Sequence, residues 1–281
     1  MSTEALSPWA GPEDLAFAVF AAREAAGEAT LFDGALLIAH WLAGASVRDA
    51  CEAPLAACCD AASRWVAPRF DAATNGEGLV TALAMELGYA GDQNQYGALE
   101  NSRIDQVLQR KRGLPITLAV LYAEVGRRLG VALTGINAPG HFVLSMTQDP
   151  RVWLDPFAGT TLQEATFRER LRNQGAPAVV LSAPFPPCEP RALVLRMLAN
   201  IQQQQSEQRA WDLALRASRA RRRLAPAQLS VLFDHVQLLQ RAGQRHEAEA
   251  ALQAVLPSLE GRAAELVMAW LAQLQRGQTR H

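Results

Sequence analysis

The chain has 281 residues, 49% of them hydrophobic and 20% charged, with a formal net charge of −1. This composition fits a folded chain with a sizeable core and excludes a disordered polyelectrolyte. It gives no bulk attraction to nucleic acid or to a membrane surface, so neither is an expected partner. No stretch is apolar for long enough to span a bilayer and no secretory leader is visible, so the expected location is cytoplasmic. Cys51, Cys58, Cys59 and Cys188 contain no Cys-x-x-Cys pair. They are expected to be reduced and buried or half-buried, with no metal and no cofactor.

Residues 1–12 form a loose leader, and Asp14 is placed to cap a first helix running through Ala25. A second helix covers 31–42 and stops at Gly44. A third spans 47–67 in one or two pieces. Asn75-Gly76 then signals a turn before a helical segment at 81–87. Gly91 to Tyr96 is a polar loop. Asn101-Ser102 resembles the start of a helix that ends at Arg112-Gly113. Pro115 suits the first turn of the next helix, because its missing N–H costs nothing there and its φ is already helical. Residues 116–129 are apolar on most sides, so this helix is central and buried.

The period then changes to that of strands, at 131–136, 141–146 and 151–154, with Gln148-Asp149-Pro150 as a turn. That turn puts His141 opposite or diagonal to Asp155 across an antiparallel pair, where the carboxylate can hold one imidazole tautomer. A one-residue slip would separate them. From Ala192 the chain is helical again with a 34-residue period: Ala214, Ala217 and Ala220 recur as Ala248, Ala251 and Ala254. Trp211 to Leu215 and Leu224-Ala225-Pro226 resemble parts of a tetratricopeptide unit. Arg216, Arg219 and Arg223 share a face of that region, which is expected to be solvated.

A helix opened by Gly-x-Pro, then Pro139-Gly140-His141-Phe142, then Asp155-Pro156-Phe157 resembles the transglutaminase-like, or papain-like, superfamily. Gly91-x-x-Asn94-x-Tyr96, Asn101-Ser102, Arg112-Gly113-x-Pro115-Ile116 and Arg128-Leu129-Gly130 strengthen the likeness and point to its SirB-type branch. The resemblance implies an α+β fold. A transglutaminase-like domain over 1–185 has a helical N-terminal part and a central buried helix on a small antiparallel sheet. A tetratricopeptide-like all-α region follows over 186–281. Catalytic members open the central helix with Gly-x-Cys, and the matching tripeptide here is Gly113-Leu114-Pro115. His141 and Asp155 are therefore the carried-over catalytic candidates, without a nucleophile.

Asn94, Tyr96, Asn101, Arg112 and Pro115 are the cleft or binding candidates. The leading expectation is a non-catalytic binding, scaffold or regulatory module that meets another protein or peptide through its C-terminal helices. The alternative is a hydrolase in which His141 and Asp155 activate water. A purely structural His141–Asp155 pair is as compatible with the residues as one that touches a ligand.

Overall fold

The computed structural model describes residues 12–44, 47–138 and 140–276. The leader up to Gly11, the side chain of Asp14 and the whole of Pro139 lie outside the described residues or side chains. The helical N-terminal part comprises α1 (Pro12–Ala25), α2 (Leu31–Ala43), α3 (Arg48–Ala62) and α4 (Ala72–Val80). α2 is held at both ends. Thr30 and Asp33 form a reciprocal capping box, and Gly44, with φ of 70°, returns its N–H to His40 O. Both ends thereby satisfy backbone groups that a helix leaves without partners.

The Asn75-Gly76 signal misleads, because both residues lie inside α4, which Asp71 caps and which continues into a π-helical turn at Thr81–Glu86. Buried Asn75 accepts from Ala67 N at 3.0 Å and donates to Phe70 O at 3.1 Å. A Cβ on Gly76 would stand 3.3 Å from Val152. The dipeptide thus serves packing rather than chain reversal.

β1 (Ala90–Gly91), α5 (Ile104–Arg110), β2 (Arg112–Gly113) and α6 (Pro115–Arg128) follow. Asn101-Ser102 ends a short 3-10 turn, and α5 opens only at Ile104. Pro115 does occupy the first turn of α6, whose residues are almost all buried. β3 (Leu133–Ala138), β4 (His141–Met146), β5 (Val152–Asp155) and β6 (Thr160–Gln163) form one antiparallel sheet in that order. α7 (Glu164–Asn173) and α8 (Ala178–Ser182) come next.

Strand alternation divides the sheet into two faces. Ile136, Ala138, Val143 and Trp153 pack with Phe167 and Leu171 of α7. The opposite face receives α6 and α4: a Cβ on Gly126 would strike Leu133, and one on Gly76 would meet Val152 and Leu154. The result is an α+β unit with the central helix on one side of the sheet and α7 on the other.

The chain divides into two compact units inside α9 (Pro190–Glu207), the first ending at Val194 and the second beginning at Leu195. The sequence places this division at 185/186. The second unit continues through α10 (Trp211–Leu224), α11 (Leu229–Arg241), α12 (Arg245–Val255) and α13 (Gly261–Arg276). Its core includes Leu215, Leu232, Val236, Leu239, Leu252 and Val267, and Phe233 stacks on Trp270 at 4.6 Å.

Candidate functional site

The opening of α6 is built by short-range backbone pairing. Lys111 adopts φ of 58° and ends α5, which turns the chain into β2. β2 pairs in parallel with β1, and Asp92 N donates to Gly113 O at 3.1 Å. Gly91 N donates to Phe157 O at 3.1 Å, and a Cβ on Gly91 would overlap the Phe157 ring. Glycine at position 91 therefore lets the loop after β5 lie against β1.

Asn101, fully buried, braces this corner. Its carbonyl accepts from Leu114 N at 3.3 Å and Thr117 Oγ1 at 2.5 Å. Its side chain donates to Gln95 O at 2.7 Å and accepts from Arg110 at 3.2 Å. Arg110 also reaches Asp92 at 3.5 Å, and Asp92 accepts from Gln95 N at 2.9 Å. The backbone N–H of Gln95 is the main reason that the Asp92 carboxyl is held below its ordinary range, with Asn101, Arg110 and Asn94 N–H adding to it against partial burial. Pro115 is buried, and the neighbouring Thr117 hydroxyl is spent on Asn101 O, so neither offers a nucleophile.

His141 and Asp155 meet at the end of the sheet. Leu144 pairs with Leu154 and Ser145 with Trp153, which sets His141 diagonal to Asp155 on the same face. Nε2 of His141 lies 3.0 Å from Asp155 Oδ2. Arg170 of α7, unanticipated in the sequence, donates to the same oxygen at 2.9 Å, and Ala158 N donates to Oδ1 at 3.1 Å. Burial of Asp155 pushes its carboxyl up. Hydrogen bonding and charge from His141, with Ala158 N–H and Arg170, outweigh that and hold it below the usual carboxylate range. The His141 ring also lies 5.9 Å from that of Phe167. The pair thus contacts α7, and burial, then the charge of Asp155, pushes up the hydroxyl of Tyr122 in α6.

The structure brings Asn101 and Pro115 to one corner. It sets Tyr96, 46% exposed, edge-on to Phe157 at 6.1 Å, two residues from Asp155. Asn94 is exposed in the loop between them. Arg112 stands apart from this corner's hydrogen bonds, since its guanidinium donates to Gly88 O and Lys111 O, both at 2.8 Å. Burial pushes the thiols up at Cys51, to about 11, and at Cys58 and Cys59, the opposite of what an attacking thiolate needs. Among the described residues, no cluster of three or more His, Cys, Asp or Glu side chains could hold a metal ion, and no helix is long and apolar enough to cross a membrane.

Residues 49–199 match the transglutaminase-like superfamily. A UPF0162 protein of Xylella fastidiosa (strain 9a5c) is 34% identical over 181 residues, covering 61% of this chain and 64% of that protein. Protein SirB1 of Salmonella typhimurium is 24% identical over 147 residues, covering 51% and 55%. F-box only protein 21 of Mus musculus is 40% identical over 63 residues, covering 22% of this chain and 10% of that protein. The chain spans less than two thirds of the length of each of these relatives. No solved structure matches it.

Proposed function

We propose a binding role without covalent catalysis for this chain, which belongs to the transglutaminase-like superfamily, in its SirB-type branch. One observation carries the reading: the carboxylate that orients His141 is shared with a guanidinium from α7. Asp155 is shared by His141, Arg170 and Ala158 N–H, so it acts as a clamp between β5, β4 and α7. The resemblance to catalytic members puts Pro115 where their cysteine stands, and proline has no atom that can attack a carbonyl. In the water-activating alternative, His141 would act as the general base and Asp155 would stabilise the imidazolium that forms. The guanidinium of Arg170 opposes that arrangement by stabilising the carboxylate before any imidazolium forms.

The partner in this reading is another protein or a peptide, held by the helices beyond Leu195. α10 and α12 begin 34 positions apart, at Trp211 and Arg245. That spacing supports a tetratricopeptide-like stack, an architecture suited to contacts over an extended surface. The test is turnover on amide and ester substrates and amine incorporation into glutamine peptides, with the His141→Ala protein beside the parent. We expect no turnover above background in either. Activity that disappears with His141 would overturn the proposal.

A further inference from the structure

The two edges of the sheet are finished differently. On β3, Cys188 donates its N–H to Gly135 O at 2.7 Å and Pro187 pairs with Ile136, so a passing segment covers part of that edge. β6 has β5 on one side and, among the described residues, no strand on the other. Thr160, Thr161 and Gln163 are exposed. An open edge presents backbone N–H and C=O groups at alternate residues, a spacing that an extended chain matches and a helix does not.

Two cavities lie along this edge, of about 310 and about 470 Å³, and Thr161 and Glu77 line both. Their other wall is α4 with its π-helical turn, where Val80 and Met85 add apolar surface, and Met85 is 71% exposed. Glu77 is exposed and, among the described residues, has no ion pair. The site therefore combines an open edge, two adjoining recesses and the carboxylate of Glu77, while Arg151, which also lines the larger recess, is paired with Asp149 at 2.8 Å.

The geometry points to β6 as a docking edge for an extended segment of another polypeptide, which joins the sheet as a fifth strand and sets a lysine or arginine beside Glu77. Alternate side chains of that segment, roughly 7 Å apart, enter the two cavities. Edge pairing supplies the affinity, while the recesses and Glu77 select the sequence. The residues of this surface all precede Val194, whereas the proposed function assigns its partner to helices after Leu195, so either can fail without the other.

The probe is a fluorescein-labelled eight-residue peptide in which valine alternates with threonine or lysine, titrated into the full chain by anisotropy. Amide hydrogen exchange is followed at residues 160–163. Two sister peptides carry N-methyl groups on one or the other alternate set of residues. We expect saturable binding, slowed exchange at β6, and loss of binding for only one of the two methylated peptides. Glu77→Gln, an exposed change, should weaken binding roughly two- to fivefold, the scale of a surface ion pair. Absence of saturable binding overturns the proposal. Equal binding by both methylated peptides, or equal binding by a helical peptide of the same composition, assigns the groove to another kind of contact and overturns it as well.

Discussion

Asp155 is 1% exposed, yet it accepts hydrogen bonds on both oxygens from three separate parts of the chain. A buried carboxylate so engaged stabilises the fold only while it is ionised. Asp155→Asn leaves the amide with a poorer match to the Arg170 guanidinium and the His141 ring. It should cost about 2–3 kcal/mol by urea unfolding at neutral pH, because an unpaired charge is then left at the site. The sign with pH follows from the lowered carboxyl. The stabilisation is present above the ordinary carboxylate range and is lost as pH falls through the depressed native value. The Asn variant should therefore show a flatter acid limb than the parent, and an equally steep limb would show that Asp155 does not carry it. The His141–Asp155 contact was legible in the sequence, because a short turn and strand alternation fix which residues share a face. Arg170 was not, since nothing around it announces that α7 returns over that face. Pro115→Cys is expected to gain no amidase or transferase activity. Pro115 is buried in the first turn of α6, and burial favours the neutral, unreactive form of a thiol. A burst of acyl-enzyme seen by mass spectrometry would contradict this.

At the scale of elements, helices with caps and unbroken apolar patterns were the most legible. α2 was readable to within a residue of its observed end at Ala43 because Gly44 ends it in the left-handed region. Thr30→Ala removes one half of the capping box and should lower stability by about 1 kcal/mol in thermal or urea unfolding, more than an exposed Thr→Ala elsewhere. α4 was illegible for a tertiary reason: its Asn75-Gly76 has the local chemistry of a turn, and the close approach of Val152 decides otherwise. β1 and β2, two residues each, are too short to show a period, and Gly91 of β1 admits the Phe157 ring. Gly91→Ala should cost about 1–3 kcal/mol by overpacking, and Phe157→Leu added to it should recover part of that loss. Simple additivity of the two changes would show that the glycine is needed for something other than this contact.

Over the whole molecule, the carboxylates and one histidine respond to acid at different pH. In the first unit, partial burial pushes Asp33 up, but hydrogen bonds from Thr30, Arg23 and Arg48 prevail and hold it at about 2. Its contribution is present above pH 4 and fades only as pH falls toward 2. In the helical unit, His235 is 8% exposed with Nδ1 2.9 Å from Ser218 Oγ. Burial, with Arg222 and Arg219 nearby, pushes its imidazole down to about 4. A depressed histidine means that the unfolded chain takes up the proton first, so stability falls as pH drops from about 6.5 to 4 and levels off below. The full loss is about 3 kcal/mol if the shift is realised whole. The expected result is that tryptophan and amide-exchange signals from α10 to α13 weaken with acid while α2 and its cap remain protected. His235→Gln keeps a neutral hydrogen-bonding side chain at every pH, so it should abolish the slope between pH 6.5 and 4 even if it lowers stability at pH 7. Urea midpoints of parent and variant, measured at half-unit steps over that range, should converge toward pH 4. Parallel curves would mean that His235 titrates alike in the folded and unfolded chain, and that the acid response of the helices comes from their carboxylates instead.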